Sequence, residues 1–212
     1  YVNNYSLSQA AEKSSFRFSY SNTDQKGIIP NNGLTTNRFD LNSDFSILKN
    51  LTFHAGLNYT RTHCDNNRQV DPRFIPRSID ISALKDYWVP GMEGYQQMNY
   101  RRSANNPYFE LYETPYSYTD SKVILNLSAQ YDVTKDLTII GRYGSVYTNN
   151  EYYEKNAYSM FDRYNAQKLK GFYKNGQANN WEKSAEFLAT YTKSISLITG
   201  KLSFGGTHYR RE

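Results

Sequence analysis

The chain has 212 residues, 25 Lys and Arg against 20 Asp and Glu, a formal charge of +5 and a mean hydropathy of −0.80. Its charges are spread along the whole length, which excludes a nucleic-acid footprint; the single cysteine, Cys64, excludes an internal disulfide framework; and no run approaches the roughly 18 apolar residues of a membrane helix. Aromatic residues make up 16 %, with 21 tyrosines, which speaks against disorder because disordered chains are poor in aromatics.

Taken in chain order, the dominant signal is a period of two, the mark of β-strands. A first strand is predicted near residues 3–11. The stretch "SSFRFSYSNTDQKGII" then alternates Phe16, Phe18 and Tyr20 with Arg17, Ser19 and Ser21 before breaking into a polar loop. "NRFDLNSDFSIL" sets Phe39, Leu41, Phe45 and Ile47 against Asp40, Asn42, Asp44 and Ser46. "LTFHAGLNYTRT" sets Leu51, Phe53, Ala55, Leu57 and Tyr59 against Thr52, His54, Gly56, Asn58 and Thr60. After a long interruption, "SKVILNLSAQYDV" places Val123, Leu125, Leu127, Ala129 and Tyr131 on one face. "LTIIGRYGSVYT" and "SAEFLATYTKSISL" (with Phe187 and Tyr191) follow the pattern more loosely, and a last strand is predicted near 201–209. That makes about eight strands in an all-β, antiparallel up-and-down meander.

The connections alternate between two kinds. Short ones carrying Lys are read at 11–14, 48–51, 134–137 and 198–201, and long ones at 26–35, about 62–120 and about 149–180. A meander with one plain and one elaborated end is the asymmetry of outer-membrane barrels. The clean stretches run about nine to thirteen residues, longer than the roughly 5–6 of soluble sheets and near the roughly 9–11 of a tilted membrane strand. Tyr20, Tyr59, Tyr131, Tyr147 and Tyr191 sit at strand ends, suiting an aromatic girdle with a buried ring and a wet hydroxyl. The apolar faces are therefore read as meeting lipid, through Phe16, Phe18, Tyr20, Phe39, Leu41, Phe45, Leu51, Phe53, Leu57, Tyr59, Val123, Leu125, Leu127, Tyr131, Phe187 and Tyr191. Alternation alone does not name the apolar medium. A soluble secreted β-sandwich that binds carbohydrate, and a small eight-stranded outer-membrane adhesin barrel, stay open as alternatives.

"YSLSQAAEKSSFRFSYSNTDQKGII", followed by "NRFDLNSDF" and "LKNLTFHAGLNYTRT", resembles the early barrel region of SusC/RagA-type TonB-linked outer-membrane transporters of Bacteroidetes. Ser6-Leu7-Ser8, Phe16 to Tyr20, Gly27-Ile28, Arg38 and Asn42 stand at the places of that pattern, while Gln9-Ala10 replaces its usual Gly-Gly. The match is close over about residues 4–62, and the strand rhythm carries it beyond. The resemblance implies a transmembrane barrel of about 22 strands around a plug. Residues 1–212 would be a partial barrel domain, with the plug and the remaining strands absent. It also implies import of glycans or peptides across the bacterial outer membrane without covalent chemistry. The implied partners are a SusD-like surface lipoprotein, a TonB energy-coupling complex acting through the absent N-terminal region, outer-membrane lipid and the substrate, with no nucleic acid and no cofactor.

Candidate ligand or lid contacts lie in the two longer loops: Tyr87, Trp88, Tyr95, Tyr100, Arg101 and Arg102 in the first, Tyr153, Tyr158, Phe161 and Tyr164 in the second. Aromatic faces stack on sugar rings, and Arg bonds hydroxyls or carboxylates. For most of these residues plain packing of the loops is the preferred reading. Residues 78–88 are predicted to form a short helix capped at Ser78 or Asp80. Loop cations (Arg73, Arg77, Arg101, Arg102, Lys168, Lys170) suit lipopolysaccharide phosphates or an ordinary wet surface, the latter preferred. His63, Cys64 and Asp65 lack the spacing of a metal site. Three scattered histidines give no hydrolytic triad, so no catalytic residue is assigned.

Overall fold

The structure is a computed structural model and describes residues 1–70, 75–102, 104–162 and 170–212. Eight strands, β1 (Val2–Ala11), β2 (Ser14–Lys26), β3 (Gly33–Leu48), β4 (Leu51–Cys64), β5 (Tyr116–Asp132), β6 (Leu137–Asn156), β7 (Phe172–Ile195) and β8 (Ile198–Arg211), form one antiparallel sheet in sequential order. This is the meander expected from the alternation. β1 and β8 are its two edges, and no second sheet covers it among the described residues. The sandwich needs such a second sheet, and the small closed barrel needs β1 paired with β8. Neither arrangement is present.

Register keeps the alternation in phase from strand to strand. Phe18 faces Leu41, Leu41 faces Leu57, Leu57 faces Leu125, and Tyr59 faces Val123. A slip of one residue anywhere would send a whole apolar set to the polar face. All sixteen side chains expected on the apolar face stand on one side of the sheet. They are not buried within the chain: Phe45 is 45 % and Phe187 46 % exposed.

The short connections gather at one end and the long ones at the other. Two of them fall elsewhere than expected. The last short turn is Ser196-Leu197 rather than 198–201, because Ser196 adopts a left-handed backbone (φ 54°) and Ile195 pairs Ile198 directly. The third long connection is not 149–180: β6 and β7 pair on through Asn156 and Phe172, leaving 157–171. The strands there carry polar residues on both faces, so no hydrophobic period marks them. The other two connections likewise shrink to 27–32 and 65–115.

Buried apolar side chains collect at the elaborated end: Cys64, Leu84, Ala104, Phe109 and Leu111. Here the expected helix over 78–88 is only a 3₁₀ turn, Ser82–Leu84, although the Asp80 carboxylate does accept from the Ser82 amide at 2.9 Å. The helix of this region is α1, Pro107–Glu113.

Candidate functional site

The sheet has two chemically distinct faces. On the polar face, Arg38 donates through Nε and Nη2 to Asp40 at 2.8 and 2.9 Å, and Asn58 Nδ2 donates to Asp40 Oδ1 at 2.7 Å. Asn150 donates to Asp120 at 2.6 Å and Arg142 to Glu186 at 2.6 Å. Arg38, Asp40, Asn58, Asp120, Lys122 and Asn126 help line a polar concavity of about 710 Å³. Such a surface of paired charges and amides suits contact with water or with another polar protein surface.

The opposite face carries an apolar belt with sharp limits. At its upper edge run Tyr20, Phe39, Tyr59, Tyr147 and Trp181, with ring centroids 4.7 Å apart for Tyr20 and Phe39 and 6.2 Å for both Phe39–Tyr59 and Tyr147–Trp181. Above this row the face turns abruptly to amides. The Tyr20 hydroxyl donates to Asn37 at 2.8 Å and the Tyr147 hydroxyl to Asn179 at 3.3 Å. Each ring thus ends the belt and each hydroxyl opens the polar zone. From Tyr147 down to Leu137 are ten residue steps, roughly 33 Å along the strand. A strand tilt of about 40° makes that roughly 25 Å in height, the apolar band of outer-membrane barrels.

The long connections form a folded cap held mainly by amides. Asn106 Oδ1 accepts from the Tyr108 and Phe109 amides at 2.9 and 3.4 Å, capping α1, and its Nδ2 donates to the Leu84 and Met98 carbonyls, both at 3.0 Å. Pro107 opens the helix where no amide donor is needed. Gln97 and Asn105 bridge to the 157–171 connection. The Gln97 amide donates to Ser159 Oγ at 2.8 Å, and Asn105 exchanges bonds with Phe161 N and O at 2.8 and 3.0 Å. Arg68 fastens the cap to β6 through Asn156 at 2.9 Å and Glu154 at 3.3 Å. Asn31, left-handed at φ 61°, ties the 27–32 turn to the Leu111 carbonyl at 2.9 Å. Hydrogen bonds therefore join the described residues of all three connections to one another.

The expected site residues divide among these parts. Tyr87 and Trp88 pack round buried Phe109, with Trp88 edge-on at 5.3 Å, and the Tyr87 hydroxyl donates to Glu113 at 3.0 Å. Burial first, and then Glu113, push the Tyr87 phenol above its ordinary pKa. Tyr95 and Tyr158 meet edge-on at 6.4 Å and are both exposed. Tyr153 belongs to β6 and points to the apolar-face side above the belt. With Trp88, Tyr158, Lys155, Lys170 and Tyr173 it lines an open cleft of about 680 Å³. Tyr100 and Phe161 are half-buried, and Arg101 and Arg102 are exposed. His63 and Cys64, adjacent on β4, point to opposite faces, His63 bonding Thr119 at 2.8 Å. Arg73, Tyr164 and Lys168 lie outside the described residues. The sequence reading passed over Asn66, Gln97, Asn105, Asn106 and Ser159, the buried polar residues that organise the cap.

No family model and no curated protein sequence matches the chain. Solved structures do match it, at identities of 20 % and below, and what they share with it is the fold, a run of antiparallel barrel strands. The RagAB peptide importer in its "open-open" state matches at TM-score 0.70 and 20 % identity, over 99 % of this chain and 24 % of that one. BauA, the ferric preacinetobactin receptor of Acinetobacter baumannii, matches at TM-score 0.58 and 12 % identity, over 99 % of this chain and 30 % of that one. The ferric-catecholate import receptor Fiu of E. coli K12, in its closed form, matches at TM-score 0.61 and 9 % identity, over 99 % and 29 %. The expected fold is borne out, and the chain spans about a quarter of the length of the RagAB chain it matches.

Proposed function

We propose that this chain is part of the barrel wall of a TonB-dependent transporter in a bacterial outer membrane, importing peptides or glycans too large for porins. The observation that carries the reading is the two-faced sheet: one face carries an apolar belt about a bilayer tall, and the other is mainly polar, with Ile124, Val146, Ile140 and Leu188 its apolar exceptions. The apolar face meets lipid, through the sixteen residues from Phe16 to Tyr191 named above. The polar face lines the lumen, where the Arg38–Asp40 and Asp120 region offers hydrogen bonds to a plug domain. The cap faces outward. Its exposed Tyr95, Tyr158, Arg101 and Arg102 suit contact with substrate or with a SusD-like lipoprotein, whereas Tyr87 and Trp88 hold the cap together. The wall performs no covalent chemistry. It supplies a sealed passage, and energy coupling by TonB acts on the plug.

The test is uptake of labelled oligopeptides and oligosaccharides by source cells, with and without the intact gene and with and without TonB. Loss of uptake of one substrate class in both deletions is expected. Undiminished uptake of both classes would overturn the assignment.

A further inference from the structure

The apolar belt has one cationic notch. Leu41, Leu57, Leu125, Ser145, Lys183 and Arg210 are successive cross-strand partners from β3 to β8, so a single row across the belt turns from leucine to two cations. That row lies one pleat below the Tyr147–Trp181 girdle, and His208 stands on the same face one pleat further down. Lys183 lifts its Nζ to 3.5 Å over the Trp181 ring, and Arg210 Nε reaches Glu212 at 2.7 Å. The neighbouring acids Glu182 and Glu186 are on the other face, engaged by Arg211 and Arg142. Among the described residues, Arg210 thus pairs with Glu212 and Lys183 with the Trp181 ring. Like charges directly opposite destabilise a strand pair, and a cation in a lipid-facing belt costs further.

We propose that Lys183 and Arg210 bind the phosphate of a phosphorylated lipid headgroup in the outer leaflet, a site resting on the lipid-facing reading of this face. Charge selects the anion. Height selects its source: the row lies on the lipid side of the aromatic girdle, where a soluble anion has no route but a headgroup phosphate lies within reach of two side chains extended toward the interface. Above the girdle, Asn149, Asn179 and Gln177 form an amide surface, Gln177 Nε2 donating to Asn149 Oδ1 at 2.8 Å. These amides meet the sugars of a phosphorylated glycolipid.

The experiment uses the intact protein purified in detergent, with bisphosphorylated lipid A, its dephosphorylated form and inorganic phosphate as probes, and retained lipid read by native mass spectrometry. Lys183→Gln/Arg210→Gln is expected to weaken lipid A binding roughly ten- to thirtyfold, while Lys183→Arg/Arg210→Lys and Arg61→Gln, which alters the same face elsewhere, retain it. Equal retention by the double Gln variant, equal binding of the dephosphorylated lipid, or displacement by inorganic phosphate would each overturn the site. Phe187→Arg separates the two readings. If it leaves barrel assembly intact, the lipid-facing assignment falls; if it blocks assembly while the double Gln variant keeps its lipid, only the phosphate site falls.

Discussion

Asn106 shows how much of the cap rests on single side chains. Its side chain caps α1 and donates to the carbonyls of buried Leu84 and of Met98. Asn106→Ala is expected to destabilise the cap by about 2–4 kcal/mol, read as faster proteolysis and hydrogen exchange within 65–115 while the barrel keeps its heat-modifiable mobility. Tyr87 adds a pH dependence. Its folded pKa is raised, so the neutral phenol is the form the fold favours. That stabilisation is fully present below the unfolded value near about 10 and is lost as pH rises through the higher folded value. Hydrogen exchange of the cap should therefore accelerate in strong alkali, and Tyr87→Phe should remove that step. The sequence reading chose aromatics and arginines here because their chemistry is conspicuous. Buried amides carry no period; only Asn106-Pro107, a cap residue followed by proline, was a readable signal.

At the scale of the strand, the two faces predict opposite tolerance. Phe187 sits at mid-belt, opposite Gly141 and Gly206. Arginine there should cost about 2–4 kcal/mol and impair assembly, measured as loss of the folded band on unheated gels. Lysine at Asn126 on the polar face should leave assembly unchanged in the same assay. Belt strands were legible because alternation between lipid-like and wet surroundings forces alternation in residue type. The upper halves of β6 and β7 were not, since "NNEYYEKN" and "FYKNGQANN" meet polar surroundings on both sides. Cross-strand pairing, Asn149 to Asn179 and onward to Asn156 with Phe172, makes them strands.

For the whole molecule, the open sheet decides behaviour. β1 and β8 present unpaired edges, and the apolar belt has no cover within the described chain. Expressed alone, residues 1–212 should aggregate in buffer and stay non-monomeric until detergent is supplied, as size-exclusion chromatography would show. A stable monomer without detergent would contradict the lipid-facing reading.

What the sequence determined by itself was the strand set, the alternating faces and the contrast between plain and elaborated ends. All three follow from local rules: a period of two, and turn residues at its breaks. The tertiary structure alone decided that the eight strands make a single open sheet, that three connections join into one cap through Asn31, Gln97 and Asn105, and that Lys183 meets Arg210. Those contacts join residues far apart in the chain. No local pattern encodes them, because they exist only once register has brought the strands together.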